Sequence, residues 1–451
     1  MNDRIAISPE LASGFKDYLP EDMIPRQRMF DTIRMTFEKF GFVPLDTPGV
    51  EREEVLTGGD PNFKMQIFRT GLRTGDEGLA LRFDLTVPLA RVVSLYGDKI
   101  TRPFKRYQTG KVWRGEKPQA GRFREFIQFD ADIIGSDKMS ADAEIVALMY
   151  ETLTALGLDR FSIRVNNRKI LNGLAGYVKY DQSRTPDVLR SIDKLDKIKW
   201  DGVMGELKEK ASFTDEQLSR LKTFLDIRAS STFELLDGLS KLLADSPEAM
   251  KGVTELAEMS DNLVALGVPE KAWRIDLSVA RGLGYYTGPV FETILDDLPS
   301  IGSVFSGGRY DDLVARFSER GVSATGASVG VDRLFAAMEQ LNLVRREKTT
   351  AKVIVLNFDG TAEGYCQTVA STMRRSGLPT ELYLGKESNL KGQLAYALGQ
   401  SVPVIIIAGG SERDKKTVQI KDVARHQQTE MPLDEAPDKI KVILQDSNNV
   451  I

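Results

Sequence analysis

A long helical stretch interrupts two blocks of strand-like sequence, and this interruption limits the folds open to the chain. Residues 105–134 alternate as β-strands do, and strand patterns return from Trp273 to Arg333. Between them, residues 172–263 show helical spacing, with a capping box at Thr214–Gln217 ahead of an apolar run. The sequence therefore predicts an α+β domain at residues 1–171 and 264–340, with residues 172–263 as a helical insertion.

Polar side chains follow one face of a predicted antiparallel strand pair. The two strands are Lys105–Arg114 and Phe123–Ile134, and Gln128, Asp130 and Asp132 share a face of the second. A glutamine and two carboxylates are poor core residues unless they contact a ligand or one another. This face is therefore a candidate binding site, although a structural polar network would explain the same pattern.

A glycine-rich stretch, Arg281–Gly288, runs into a predicted strand at residues 289–295. Three glycines let the backbone approach a ligand closely, and on a strand Tyr285 and Tyr286 would point to opposite faces. The guanidinium of Arg281 suits a carboxylate or a phosphate. A glycine-bearing strand with an ion-paired surface arginine is the alternative explanation.

Other elements are predicted before and after these segments. A helix is expected to open at Pro25 and to end at Gly41, and Phe42–Pro48 and Leu79–Leu85 read as strands. From Lys352 the pattern becomes strand–helix alternation, which predicts a separate α/β domain at residues 350–451. Its strands are expected at 352–358, 380–384, 402–408 and 417–421, and its helices near 361–376, 389–399 and 436–445.

The composition excludes several kinds of chemistry. A single cysteine, Cys366, and a single histidine, His426, leave no material for a disulfide, a cysteine-built zinc site or a histidine-based triad. The net charge of −4 argues against a general nucleic-acid binder, although residues 101–125 carry eight Lys or Arg against two Glu. That run suits a polyanion or is a solvated basic face. No targeting signal or membrane-length apolar run is present, so a cytoplasmic protein without a membrane partner is expected.

Several segments resemble motifs of the class II aminoacyl-tRNA synthetases. FGFVPLDTP at 40–48, KVWRGEKPQAGRFREFIQFDADIIG at 111–135 and GASVGVDRL at 326–334 resemble their first, second and third signature motifs. RGLGYYTG at 281–288, SGGRYDDL at 306–313 and LRFDLT at 81–86 are similar to motifs of the histidyl-tRNA synthetases. The resemblance covers nearly the whole chain.

The resemblance implies an antiparallel-sheet catalytic domain with a helical insertion, and a carboxy-terminal α/β anticodon-binding domain. The implied reaction joins L-histidine to ATP as histidyl-adenylate and passes the histidyl group to tRNA(His). It needs no protein nucleophile, which suits a chain with almost no Cys or His. The family further implies a homodimer formed through the catalytic domain, and Mg²⁺ held mainly by ATP rather than by protein side chains.

The resemblance also implies roles for individual residues. Arg114 and Arg281 would be catalytic, and Gly326 and Gly330 would leave room for adenine. The implied ATP site comprises Arg114, Glu116, Gly330 and Arg333. The implied histidine site comprises Asp84, Leu85, Thr86, Arg114, Gln128, Asp132, Arg281, Tyr285 and Tyr286.

The chain departs from the family pattern at two positions, and two other functions fit the same motifs. Gly284 stands where many members carry an aspartate, and Gly115 replaces a basic residue or histidine in the loop that meets the acceptor end of tRNA. One alternative is a catalytically idle relative, like the regulatory subunit of ATP phosphoribosyltransferase. Such relatives typically lack the last domain and much of the arginine set. The other alternative is a synthetase for a different amino acid of the same subclass.

Overall fold

The computed structural model describes residues 8–58, 66–71, 78–117, 123–280, 286–317 and 321–448. These residues form two compact units. The first unit contains residues up to 16 together with 29–343, and the second contains 17–28 together with 344 onward. None of the described helices is long and apolar enough to cross a membrane.

The first unit is built on a sheet that has eight strands among the described residues. The central strands run antiparallel, and a short parallel strand borders each edge. This confirms the predicted antiparallel-sheet α+β class. In spatial order the strands are Val43–Pro44, Phe104–Trp113, Glu125–Ile134, Ala324–Gly330, Phe305–Arg309, Pro289–Leu295, Phe161–Asn167 and Trp273–Ile275.

The two faces of this sheet have different chemistry because side chains alternate along each strand. On Glu125–Ile134, Phe129 packs against Phe37 of the helix Pro20–Lys39, with ring centroids 5.2 Å apart. Gln128, Asp130 and Asp132 therefore lie on the opposite face. The apolar face holds the sheet in place, and the polar face is available for chemistry.

Smaller elements complete the first unit. A three-stranded antiparallel sheet is formed by Val50–Arg52, Leu79–Leu81 and Arg69–Thr70. Among the described residues, the helices outside 168–265 are Glu53–Thr57, Thr86–Leu95, Met139–Ala155 and Val331–Gln340, and the helix Pro20–Lys39 belongs to this unit from residue 29 onward. Single 3₁₀ turns occupy Gly97–Lys99, Gln182–Arg184, Glu270–Ala272, Pro299–Ile301 and Val314–Arg316.

Residues 168–265 are helical and contain no strand. Their helices are Arg168–Asn172, Leu174–Val178, Thr185–Ile192, Leu195–Ala211, Asp215–Leu225, Thr232–Leu242 and Pro247–Ala265. The capping box is confirmed at the start of Asp215–Leu225. The backbone N–H of Gln217 donates to Thr214 Oγ1 at 3.3 Å, and the backbone N–H of Thr214 donates to Gln217 Oε1 at 2.9 Å.

Three of the predicted elements were placed incorrectly, and one of them is the strand expected at Phe42–Pro48, which is limited to Val43–Pro44. The helix expected at Pro25 begins at Pro20, because Pro20 suits the first helical position equally well and acidic Glu21 and Asp22 follow it. The strand expected at Leu79–Leu85 ends at Leu81. Asp84 Oδ1 accepts a hydrogen bond from the Val87 amide at 3.0 Å, and this bond starts the helix Thr86–Leu95 instead.

The second unit is an α/β layer, which confirms the predicted class. Its strands, in spatial order, are Thr380–Leu382, Val353–Val355, Val404–Ile407, Thr417–Asp422 and Gln427–Pro432. Its helices from residue 344 onward are Glu363–Arg375, Leu390–Gly399, Gly410–Lys415 and Ala436–Asn448. The sequence did not predict Gly410–Lys415 or Gln427–Pro432, because both are polar and mostly exposed.

Cys366 is buried in the core of the second unit, among side chains such as Val355 and Ile406. Burial raises the pKa of the Cys366 thiol to about 11. A thiol that keeps its proton at neutral pH is a poor nucleophile. Cys366 is therefore a packing residue.

Candidate active site

Two adjoining cavities open on the polar face of the eight-stranded sheet. The first, of about 380 Å³, is bounded by residues that include Asp84, Thr86, Gln128, Asp132, Tyr286 and Tyr310. The second, of about 200 Å³, is bounded by residues that include Glu116, Gly330 and Arg333. Four residues line both cavities: Arg114, Gln128, Ser306 and Ser328. The sheet thus brings most of the residues expected to bind histidine to one cavity, and those expected to bind ATP to its neighbour.

Crowded glycines lie in the sheet at the base of the first cavity, which Gly307 and Gly326 line. A Cβ atom at Gly326 would lie 1.9 Å from Asp132 Oδ1, and one at Gly307 would lie 2.0 Å from the carbonyl oxygen of Gly326. At Gly308 it would lie 2.7 Å from the carbonyl oxygen of Pro289. Only glycine fits such positions. The sequence predicts that Gly326 leaves room for adenine, but the space of its missing side chain is taken by Asp132.

Asp132 is held by two buried partners. Arg106 Nη2 lies 2.7 Å from Oδ2, and the Tyr310 hydroxyl donates a hydrogen bond to Oδ1. Burial raises the pKa of Asp132, and the positive charge of Arg106 and the hydrogen bond from Tyr310 oppose this rise. Each carboxylate oxygen keeps a further lone pair, so Asp132 can still accept a ligand N–H. Its position in the cavity wall is therefore fixed before any ligand arrives.

Asp84 and Thr86 reach the first cavity because the chain turns into a helix there. Asp84 is buried, and burial raises its pKa, while the hydrogen bond from the Val87 amide and the charge of Arg114 oppose the rise. Thr86 is the first residue of the helix and lines the cavity. Leu85 is buried between them, and it is not among the described residues that line either cavity. Its carbonyl oxygen instead lies 3.5 Å from Arg106 Nη2.

Arg114 lies where the cavities meet. Its guanidinium carbon is 4.4 Å from the ring centroid of Phe83 and 5.0 Å from that of Phe126. Its Nε also donates to the Phe83 carbonyl oxygen at 3.4 Å. Contacts with two ring faces help to fix the position of a guanidinium. Arg114 is thus a positioned cation that both cavities share.

The second cavity contains a second arginine. Arg333 Nη1 donates to the Ser303 carbonyl oxygen at 2.5 Å, at the start of the helix Val331–Gln340. A Cβ atom at Gly330 would come no closer than 3.5 Å to another atom, the Val304 carbonyl oxygen. The protein itself therefore does not crowd Gly330, unlike Gly326. Among the described residues, no group of three or more His, Cys, Asp or Glu is placed to hold a metal ion.

Two of the predicted site residues lie outside the described residues, and two residues of the observed site were not predicted from the sequence. Arg281 and Tyr285 lie outside the described residues, whereas Val279 and Tyr286 on either side of that segment line the first cavity. The sequence did not single out Tyr310 or Ser328 for a role in this site. Both lie within quoted motifs, but their partners are on distant strands, and sequence alone does not give the register that brings them together.

Comparisons with known proteins agree with this architecture. A family model described as "Histidyl-tRNA synthetase" matches residues 14–334, and one described as "Anticodon binding domain" matches residues 351–443. The chain is 41% identical to a histidine–tRNA ligase from Wolinella succinogenes over 94% of this chain and 96% of that protein. It is 40% identical to one from Clostridium tetani over 97% and 98%.

A solved structure resembles the whole chain as well. The crystal structure of histidyl-tRNA synthetase from Nostoc sp. PCC 7120 superposes with a TM-score of 0.86 at 34% identity. The match covers 97% of this chain and 99% of that one. Both units, with the cavities in the first, therefore lie within the matched region.

Proposed function

Since the chain belongs to the histidyl-tRNA synthetase family and is an ATP-dependent histidine–tRNA ligase, we propose that it activates histidine where the two cavities meet. The first cavity would hold histidine and the second would hold ATP. Arg114 carries this proposal, because it lines both cavities and its guanidinium contacts the rings of Phe83 and Phe126. A cation at that point can contact the histidine carboxylate and the α-phosphate together.

The chemical step is a displacement at the α-phosphorus. A histidine carboxylate oxygen forms the new P–O bond, and the bond to the bridging oxygen breaks and releases pyrophosphate. Catalysis of such a step consists of holding the two reactants in line and stabilising negative charge on the phosphate oxygens. We assign these tasks to Arg114 and, from its motif, to Arg281. Arg333, Glu116 and Gly330 would hold the nucleotide.

Histidine offers an ammonium, a carboxylate and an imidazole, and the first cavity has a group for each. Asp84, Thr86 and Gln128 would bind the ammonium group. Asp132, held in place by its two buried partners, would accept an imidazole N–H, with Tyr286 beside the ring. A cavity whose buried polar groups need partners favours a ligand that supplies them.

Mg²⁺ would enter this site bound to the phosphate oxygens of ATP. There it would neutralise part of the charge on the leaving pyrophosphate. The residues that we assign to the nucleotide are arginines, one glutamate and a glycine, which suit a nucleotide that brings its own cation.

The remaining assignments concern tRNA and assembly. We propose residues 350–451 as the anticodon-binding domain, supported by the match at 351–443, and residues 172–263 as a helical insertion within a catalytic domain formed by 1–171 and 264–340. We also propose a cytoplasmic homodimer formed through the catalytic domain. Met35 and Val43, about half exposed on the first unit, are apolar side chains that such an interface would cover.

The proposal is tested by exchange of labelled pyrophosphate into ATP in the presence of each of the twenty amino acids. Exchange with histidine alone supports it. Exchange with a different amino acid would contradict the assignment of the first cavity, and no exchange with any amino acid would contradict the enzyme itself. Transfer of histidine to tRNA(His) transcripts then tests the second step.

A further inference from the structure

Asp130 and Ser328 face each other across two neighbouring strands beside Gln128. In the antiparallel pairing of Glu125–Ile134 with Ala324–Gly330, Asp130 lies opposite Ser328 and Gln128 lies opposite Gly330. Because Gly330 has no side chain, the Gln128 side chain can lean towards Ser328. Asp130 and Gln128 are buried, and all three side chains line the first cavity.

The hydrogen bonds among these side chains have a direction. Ser328 Oγ donates to Asp130 Oδ1, and Gln128 Nε2 donates to Ser328 Oγ at 2.8 Å. A serine hydroxyl has one proton, and a carboxylate can only accept. When Ser328 gives its proton to Asp130, it can only accept from Gln128. The carboxylate therefore decides which end of the Gln128 amide points towards Ser328.

The other end of the amide is left for a ligand. Gln128 Oε1 is buried and has no hydrogen-bond partner among the described residues. A buried acceptor without a partner is costly, and a ligand donor removes that cost. An ammonium group has donors and no acceptors, so it suits Oε1 and would be repelled by the amide NH₂.

We propose that Asp130, acting through Ser328, is a positioning residue that turns the Gln128 oxygen towards the ammonium group of the amino acid. The inference rests on the proposed placement of histidine in the first cavity, and it adds two residues to which no role has been assigned. Asp130 does not touch the ligand in this arrangement. Burial raises the pKa of Asp130 to about 7; the charge of Asp132 adds to this rise, and the charge of Arg106 and the hydrogen bond from Ser328 oppose it. Oδ1 accepts from Ser328 both in the ionised form and when the proton sits on Oδ2.

The test removes the relay without removing the charge. Ser328→Ala deprives Gln128 Nε2 of its acceptor and leaves Asp130 in place, and Ser328→Thr keeps the hydroxyl. We expect Ser328→Ala to raise the KM for histidine about tenfold, the usual effect of losing one such hydrogen bond. Ser328 also lines the second cavity, so the KM for ATP can rise too, but by less than the KM for histidine, and Ser328→Thr should restore most of the loss.

Two further measurements separate positioning from general damage to the site. Competitive inhibition by histidinol and by its analogue without the amino group measures recognition of the ammonium alone. We expect the preference for histidinol to fall in Ser328→Ala and in Asp130→Asn by the same factor as the KM rises. In a Gln128→Ala background, Ser328→Ala should have no further effect on the KM for histidine, because the amide that it orients is gone.

Ser94→Ala is the matched control, because it removes a serine hydroxyl that does not line either cavity. That hydroxyl donates to the Phe317 carbonyl oxygen, with a donor–acceptor distance of 2.9 Å. The KM of Ser94→Ala for histidine should equal that of the parent. The inference is overturned if Ser328→Ala leaves the KM for histidine within twofold of the parent. It is also overturned if the effects of Ser328→Ala and Gln128→Ala on that KM multiply in the double variant. If Gln128→Ala alone has no effect, the placement of the ammonium is wrong as well.

Discussion

Replacing Tyr310 with phenylalanine would remove one hydroxyl and keep the ring. That hydroxyl donates to Asp132 Oδ1, and Tyr310 and Asp132 are each only 3% exposed. Water therefore cannot easily replace the lost donor. A hydrogen bond to a charged group contributes about 1.5–3 kcal/mol, so we expect the free energy of unfolding to fall by about that amount.

The same substitution should weaken histidine recognition. The Tyr310 hydrogen bond lowers the pKa of Asp132 against the effect of burial, so its loss lets the pKa of Asp132 rise further. Asp132 would then keep its proton to higher pH and accept an imidazole N–H less well. We expect the KM for histidine to rise about tenfold near neutral pH, which corresponds to about 1.4 kcal/mol of the lost interaction.

The assay is histidine-dependent pyrophosphate exchange, with urea unfolding measured on the same preparations. Tyr107→Phe is the control, because Tyr107 does not line either cavity. Its hydroxyl donates to Glu38 Oε1, with a donor–acceptor distance of 2.9 Å. Tyr107→Phe should lose stability without any change in the KM for histidine. The role given to the Tyr310 hydrogen bond is refuted if Tyr310→Phe keeps the KM for histidine and its free energy of unfolding stays within about 0.5 kcal/mol of the parent. A difference of that size is typical of a surface substitution.

Three other expected outcomes concern the wider site. Asp132→Asn should raise the KM for histidine and relax rejection of analogues that lack a ring N–H, and unchanged values in exchange assays would leave Asp132 with a structural role only. Arg281→Ala should lower single-turnover adenylate formation at saturating substrates by about 10²–10³, and a rate within threefold of the parent, roughly the reach of an indirect effect, would make it a surface arginine. A chain of residues 1–340 should still form adenylate but charge tRNA poorly, and equal loss of both activities would contradict this division.

The strand pair at the centre of the site could be predicted closely from the sequence. The expected strands at Lys105–Arg114 and Phe123–Ile134 are observed at Phe104–Trp113 and Glu125–Ile134. The alternation of apolar and polar residues with a period of two is a local signal. It is strong here because the face of the strand that holds Phe129 must be apolar to pack in the core. The same alternation predicted that Gln128 and Asp132 share one face of the strand, and in the structure both line the first cavity.

Features that depend on distant contacts could not be predicted in this way. The basic run at residues 101–125 suggested a surface for a polyanion, but Arg106 is fully buried against Asp132 and is not available to one. Likewise, Ser328 meets Asp130 only through the register of two strands far apart in the chain. Local patterns give the faces of elements, whereas such pairs depend on which elements become neighbours.

The crowded glycines limit how this site could be redesigned for another amino acid. A larger pocket is usually made by shortening a side chain on its floor, but Gly307 and Gly326 have none to shorten. An added methyl group there would meet main-chain atoms or Asp132 instead of a ligand. New preferences would have to come from the walls, where Tyr286 and Tyr310 have side chains that can change in size. The range of amino acids open to this scaffold is thus set by its walls and not by the sheet below them.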